Sequence, residues 1–168
     1  MSFDIYQASI PVFARALTNL RAILSKGQSY ADARKIDPQA LLGARLFPDM
    51  LPLVKQIQIA SDVCKGGAAR LAGVDVPSYA DTETSFSELL ARLDKTIAFV
   101  NSIRQEQLQG AADRKISLTV QQKPVSFTGT EYLLGFVTPN LYFHVTTSYA
   151  LLRHNGVELG KADYLGMR

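Results

Sequence analysis

The sequence predicts an all-α protein, a four-helix bundle with a small β-hairpin between its third and fourth helices. Four long segments repeat apolar residues at steps of three and four, which is the period of a helix buried on one face. One shorter segment alternates with a period of two, which is typical of strands. The chain has 168 residues, 47% of them hydrophobic, so it can bury a core without disulfide bonds or a structural metal. We therefore expect a single domain over residues 1–168.

The first long helix is predicted from about Ile5 to Lys26, with Gly27 as its end. Pro11 indicates either that the regular helix begins near it or that the first turns are kinked. In the connection that follows, Asp37-Pro38 combines a capping residue with a first-turn proline. This pair predicts a short helix through Leu42.

The second and third long helices have clear boundary signals. The second is predicted from near Asp49 to Gly73, where the glycine is followed by Pro77. The third begins with Ser85-Phe-Ser-Glu88, the pattern of a capping box. We expect it to fade by Gln109-Gly110.

The segment from Lys115 to Phe127 predicts a β-hairpin. Apolar residues of its first half alternate with polar ones over positions 116–121, and Val125 and Phe127 follow after Gln122-Lys123-Pro124. Two strands alone are marginally stable in water, so we expect them to pack against the helices.

The last helix is predicted over roughly Thr130 to His154, with Asn155-Gly156 as its C-cap. Pro139 lies inside this span and removes one backbone hydrogen bond. It marks either a kink or the true start of the helix, with Thr138 as the cap.

Charge and cysteine usage exclude several classes of protein. The net charge is +3, from 18 Lys and Arg against 15 Asp and Glu, and the basic residues are scattered rather than clustered as in a nucleic-acid interface. The single cysteine, Cys64, lies on an apolar helix face and excludes an intrachain disulfide or a multi-cysteine zinc site. The opening residues lack a secretory pattern, and no apolar run approaches membrane-spanning length. We expect a cytoplasmic protein with no nucleic-acid or membrane partner.

The last helix carries a stripe whose middle is polar. Asn140, His144 and Thr147 fall on the same side as apolar residues before and after them. Burying such groups unpaired costs about 1–3 kcal/mol each, so they need partners, water or an ion. The second helix offers three candidate partners, which are Gln58, Ser61 and Asp62. We predict an internal cavity lined by Asn140, His144, Thr147 and Ser61.

His144 has two interpretations. An imidazole suits a metal ligand or a general base near neutral pH, and Gln58 and Asp62 are the possible helpers. The alternative is a buried histidine that holds two hydrogen bonds in the core. No second histidine lies one helical turn away, which favours the alternative.

Two stretches carry a family resemblance. The opening Ile5–Phe13 (IYQASIPVF) and the closing run from Phe143 to Gly166 resemble an uncharacterised bacterial family within the DinB-like (YfiT/DinB) superfamily. The resemblance implies a bundle with up-down-down-up helix order, often dimeric. It also implies that many relatives hold a divalent metal on three histidines, one from the second helix and two from an HxxxH at the start of the last.

In this chain only His144 matches such a ligand. Asn140 stands at the first histidine of the HxxxH, Thr147 stands where a glutamine is common, and the second helix has no histidine. The resemblance therefore implies a degenerate metal site, in which tightly bound zinc or nickel is not expected.

We interpret the chain as a non-enzymatic or small-ligand-binding bundle, and we expect a homodimer. The ligand and any catalytic residues stay unidentified. The alternative is a divergent divalent-metal-dependent enzyme of the thiol-transferase or hydrolase type, using His144 with Gln58 or Asp62. An interaction or scaffold role is a third hypothesis.

Overall fold

The chain folds as a mostly helical protein with one two-stranded antiparallel sheet. The computed structural model describes residues 4–120 and 122–167, with the backbone alone at Val120. Its elements in chain order are α1 (Ile10–Arg34), α2 (Pro38–Leu42), α3 (Leu53–Ala72), α4 (Phe86–Ser102), a 3-10 helix (Gln105–Leu108), β1 (Ile116–Val120), β2 (Lys123–Phe127), α5 (Gly129–Glu131), a π-helical turn (Tyr132–Val137), α6 (Thr138–His154) and α7 (Lys161–Leu165).

Helix α1 is longer than the sequence predicted. Pro11 lies in its first turn, which confirms the alternative that the regular helix begins near this proline. The predicted end at Gly27 is wrong, because α1 continues to Arg34 and ends at Lys35, which has left-handed torsions. Gly27 instead allows a close approach, since a Cβ there would lie 2.9 Å from Leu152 of α6. In the sequence, a glycine that is needed for close helix packing looks the same as a glycine that ends a helix.

The predictions for α2 and for the end of α3 are confirmed. Asp37 accepts a hydrogen bond from the backbone N–H of Gln39 and so caps α2. Helix α3 ends at Gly73, whose φ of 69° is the left-handed conformation that a glycine C-cap supplies. Its start was predicted too early, since α3 begins at Leu53 after an extended Pro52. Proline disfavours helical torsions in the residue before it, so the helix cannot extend back to Asp49.

The capping box of α4 is present as predicted. The Ser85 hydroxyl accepts from the Glu88 N–H, and the Glu88 carboxylate accepts from the Ser85 N–H. The predicted fade at Gln109-Gly110 is too late. Helix α4 ends at Ser102, Ile103 is extended, and the next residues form the separate 3-10 helix.

The predicted hairpin is confirmed. Strands β1 and β2 pair antiparallel, with Ile116 opposite Phe127 and Leu118 opposite Val125. Gln121, predicted as part of the alternation, lies outside the described residues. Phe127 packs on the rings of Tyr132 and Phe136, so the sheet leans on the helices as expected for an isolated hairpin.

The last helical segment runs through Pro139 without a break. Val137 and Thr138 both have right-handed helical torsions, so Thr138 is not an N-cap. The π-helical turn ends at Val137, two residues before the proline. The wider turn changes the hydrogen-bond register where proline has no N–H to donate. Of the two alternatives, the structure therefore supports an irregular helix rather than a new start.

One apolar core joins these elements. Helix α1 packs mainly on α4, while α3 packs on both α6 and α4. Phe13, Leu17 and Leu20 of α1 are fully buried, as are Ile57 and Leu71 of α3. The tail after α6 buries Val157 and Leu159, and α7 then contacts α1. Among the described helices, none combines the length and the apolar character that a bilayer crossing requires.

Candidate functional site

The stripe predicted on the last helix does face the interior. Five of its six positions are buried and Asn140 is half-buried. The buried positions are Leu133, Val137, His144, Thr147 and Leu151. Because His144 and Thr147 are buried, most of their hydrogen bonds must be made within the protein.

Two of these groups bond to their own helix. The Asn140 side-chain amide donates to the Phe136 carbonyl over 2.7 Å, and the Thr147 hydroxyl donates to the Phe143 carbonyl over 2.7 Å. Such bonds to a carbonyl one turn earlier satisfy a polar side chain without a partner on another helix. Each of these two side chains thus has a hydrogen-bond partner on its own helical segment.

His144 makes the contact that crosses between helices. Its Nδ1 lies 2.7 Å from Oε1 of Gln56 on α3, and the Gln56 Nε2 donates to the Leu51 carbonyl over 3.1 Å. A carbonyl only accepts, so the Gln56 amide must turn its NH₂ toward Leu51 and its oxygen toward His144. The imidazole therefore carries its proton on Nδ1 and its lone pair on Nε2.

The surroundings keep the His144 ring neutral. The residue is 8% exposed, and burial lowers its pKa below the usual value. Among the described residues, Gln58 Oε1 is the one fully buried side-chain oxygen or nitrogen without a hydrogen-bond partner. Nε2 of His144 has no hydrogen-bond partner in the described part of the protein either, so it is not fully buried. The ring of Phe143 meets the imidazole edge-on at 5.2 Å, and Phe143 is itself 56% exposed. The site is thus a hydrogen-bond acceptor at the rim of the core, beside an exposed aromatic ring.

The predicted helpers lie elsewhere on α3. Gln58 donates to Glu83, Ser61 bonds to Thr96 of α4, and Asp62 accepts from Arg92 and Lys65. The structure brings Gln56 to His144 instead, a residue that the sequence analysis missed. Gln56 lies eleven residues, three helical turns, before Gly67, and so on the same face of α3. At Gly67 a Cβ would meet Val137, so that face of α3 is the one in contact with the last helical segment.

The donor atoms around His144 are few. They are one imidazole nitrogen and one neutral amide oxygen that is already engaged. Over residues 4–120 and 122–167, no group of three or more His, Cys, Asp and Glu side chains is placed to hold a metal ion. A tightly held divalent ion needs three or four strong ligands. These residues do not fit the metal that the superfamily resemblance implies.

A second polar centre surrounds Arg92 of α4, whose side chain is 2% exposed. Its guanidinium contacts Asp62 at 2.9 Å, Glu83 at 2.9 Å and Asp81 at 3.1 Å. It also donates to the Ala80 carbonyl and the Ser61 hydroxyl. This cluster ties the α3–α4 connection, residues 74–85, to both helices. We assign it a structural role.

Cys64 is fully buried in the core, as expected from its place on an apolar face. Burial raises the pKa of its thiol, so the reactive thiolate is disfavoured. The side chain therefore acts as a small apolar core residue.

Comparisons with known proteins agree on the type of protein. A family model described as "Domain of unknown function (DUF1993)" matches residues 5–165. A solved structure, described as a DinB family member protein from Shewanella denitrificans, matches with 39% sequence identity and a TM-score of 0.90. That match covers 97% of this chain and 92% of the other. Among curated proteins no sequence matches.

Proposed function

This chain belongs to the DUF1993 family, a domain of unknown function with a DinB-like structure, and we propose that it is a non-enzymatic protein that binds a small ligand at His144. The proposed ligand presents an N–H or O–H donor to the His144 Nε2 and an apolar part to Phe143. No tightly bound metal takes part. The metal-dependent enzyme is not favoured, because the donor set around His144 is too small.

One observation carries this proposal, which is the chain of hydrogen bonds from the Leu51 carbonyl through Gln56 to His144 Nδ1. The chain holds one tautomer and leaves Nε2 as an oriented acceptor. Nε2 has no hydrogen-bond partner within residues 4–120 and 122–167, so it is available to a donor on a ligand. The exposed ring of Phe143 beside it supplies the apolar contact that most ligand sites combine with a few polar groups.

The first measurement is metal content together with ligand binding. Protein purified without chelator is expected to carry less than 0.1 equivalent of zinc, nickel or iron, on the order expected for weak sites. In a fragment screen followed by NMR, imidazole- or amide-bearing fragments are expected to shift the His144 ring signals. His144→Ala is expected to weaken their binding about tenfold, the effect of one lost hydrogen bond in a desolvated site.

His154 provides the matched control, because it is the other histidine of the chain and is exposed at the end of α6. His154→Ala is expected to leave fragment binding unchanged. Stoichiometric metal in the purified protein would contradict the proposal. So would fragments that bind equally well to the wild type and to His144→Ala.

We further propose that α1, α3, α4 and α6 form an up-down-down-up four-helix bundle within a single domain over residues 1–168. Arg21 and Gln28 of α1 contact Asp94 and Ser87 of α4, in reversed order along the two helices. Likewise Gln56 of α3 contacts His144, whereas Gly67 lies against Val137. These contacts support antiparallel α1–α4 and α3–α6 pairs. A crystal structure with α3 and α4 antiparallel would contradict this order.

A homodimer is also proposed. Its support is the exposure of large apolar side chains to water, among them Phe47 at 64% and Leu134 at 52%. Light scattering of the purified protein is expected to give about twice the chain mass of 18.4 kDa. A monomer at micromolar concentration would contradict it.

The cytoplasm is the proposed location. Its support is the use of a single cysteine that lies buried in the core, which suits a reducing compartment. Cell fractionation tests this, and recovery of the protein from a secreted fraction would contradict it.

A further inference from the structure

A cleft lies where α3, β1 and the π-helical turn meet. It has a volume of about 280 Å³, which is close to the lower end of the range of about 300–1,000 Å³ that is typical of small-molecule pockets. Its lining combines the guanidinium of Arg70 with mainly apolar side chains. The principal lining residues are Asp62, Val63, Arg70, Leu118, Tyr132 and Phe136.

Arg70 brings a positioned but unpaired guanidinium to this cleft. Its Nη1 donates to the Tyr132 hydroxyl over 3.2 Å, and its head lies over Gly66, where a side chain would collide with it. Within the described part of the chain, no carboxylate forms an ion pair with Arg70, unlike Arg21 and Arg92. One of its five N–H donors is used by Tyr132, so the planar fork keeps donors for an anion.

Another part of the cleft lining is aromatic and apolar. The rings of Tyr132 and Phe136 stack at 5.8 Å with 16° between their planes, and Phe127 packs against both. Tyr132 is buried, whereas Phe136 is partly exposed toward the cleft it lines. A flat ring placed on Phe136 would extend an existing stack, which is a favourable arrangement for aromatic groups.

Asp62 is the acidic residue of the lining, but its charge is already compensated. Its Oδ1 accepts from Arg92 at 2.9 Å and from Lys65 at 2.7 Å. Arg92 also contacts Asp81 and Glu83, but Lys65 pairs with Asp62 and Lys55 pairs with Asp81. The three carboxylates at that end of the cleft are thus balanced by three cations. The π-helical turn supplies Tyr132, Phe136 and Val137 to the cleft, and such turns are frequent at functional sites.

We propose that this cleft binds a small monocarboxylate with a flat apolar body, its carboxylate paired with the Arg70 guanidinium and its ring packed on Phe136. The fork of arginine matches the two oxygens of a carboxylate. The site is separate from His144, since Gln56 and Arg70 stand fourteen residues apart on α3, roughly 21 Å at the rise of an α-helix. Its test therefore does not depend on the function proposed above.

Benzoate is the probe, titrated into ¹⁵N-labelled protein and followed by NMR. We expect benzoate to shift the backbone amide signals of Thr119, Tyr132 and Phe136. Methyl benzoate, which has the same ring without the charge, is expected to bind at least tenfold more weakly. Arg70→Met is expected to weaken benzoate binding at least tenfold, and Arg70→Lys, which keeps the charge but loses the fork, about threefold or more.

Two variants serve as controls. Arg153→Met removes an exposed arginine of α6, and His144→Ala removes the group on which the other proposal rests. Both are expected to keep benzoate affinity within twofold of the wild type. The proposal is overturned if benzoate does not shift the signals of the cleft residues. It is also overturned if methyl benzoate or inorganic phosphate binds as tightly as benzoate, or if Arg70→Met binds benzoate with unchanged affinity. If Arg70→Met does not fold, Arg70→Lys decides in its place, and wild-type affinity there overturns the proposal.

Discussion

Replacing Arg92 with methionine is expected to lower the free energy of unfolding by about 3–5 kcal/mol. The side chain is 2% exposed and contacts three carboxylates, those of Asp62, Asp81 and Glu83. Methionine fills similar space but leaves the partly buried Glu83 without its cation, and it frees the connection between α3 and α4. Urea denaturation at pH 7 measures the change.

Arg21→Met is the matched control for this variant. Arg21 also forms an ion pair, with Asp94, but its side chain is 41% exposed. Exposed pairs contribute about 0–1 kcal/mol, so the control is expected to lose no more than that. Equal losses in the two variants would show that the Arg92 cluster has no special structural role.

The same cluster predicts how stability depends on pH. Burial alone would raise the pKa of Glu83, but hydrogen bonds from Arg92 and Gln58 outweigh it and hold the pKa below its usual 4.5. Asp81, with a usual pKa of 3.8, is lowered in the same way by Lys55 and Arg92 against the effect of burial. Carboxylates with a lowered pKa stabilise the fold above the unfolded value and lose that contribution as pH falls below it. The free energy of unfolding of the wild type is therefore expected to fall below about pH 4.5. In Arg92→Met it is expected to fall less over the same pH range, because the carboxylates have lost the cation that lowers their pKa.

Gly129→Ala is expected to lower the free energy of unfolding by about 1–3 kcal/mol, toward the upper end of that range. A Cβ at Gly129 would collide with the backbone carbonyl of Ala111, and backbone yields less readily than a side chain. The neighbouring Thr130 N–H donates to the Ala112 carbonyl over 3.0 Å, so this point docks the start of the last helical segment. Thermal or urea unfolding gives the size of the effect, and hydrogen exchange at Thr130 is expected to become faster.

Gly135 is the control on the same segment, because nothing lies within 4 Å of a Cβ built there. Gly135→Ala is expected to leave stability unchanged or to raise it by up to about 1 kcal/mol, since alanine loses less backbone entropy than glycine in a helix. A Gly129→Ala variant as stable as Gly135→Ala would contradict the close docking.

The helix ends show which features of the fold can be predicted from the local sequence. The capping box at Ser85-Glu88 and the C-cap at Gly73 were predictable, because the residues that form them are adjacent in sequence. Gly27 misled for the opposite reason. Its small size permits a close contact with Leu152, more than a hundred residues away in the chain. The sequence alone does not distinguish a glycine that is required by such a distant contact from one that ends a helix.

The site shows the same division. The inward position of His144 followed from the spacing of its stripe, but its partner did not. Choosing Gln56 over Gln58 requires the rotation of α3 about its axis, and only packing against the other helices determines that rotation. The Arg92 guanidinium donates hydrogen bonds to Asp62 and Glu83, and Glu83 in turn accepts one from Gln58. Both predicted helpers of His144 are therefore engaged in the Arg92 cluster.

By itself the sequence determined the number of long helices, the hairpin and the inward face of the last helix, because each depends on short-range periodicity and caps. Tertiary structure alone decided which polar groups meet: His144 with Gln56, Arg92 with its carboxylates, and Arg70 with Tyr132. The physical reason is that a hydrogen bond or ion pair acts over about 3 Å, so a rotation of one helix by a single residue exchanges one partner for another.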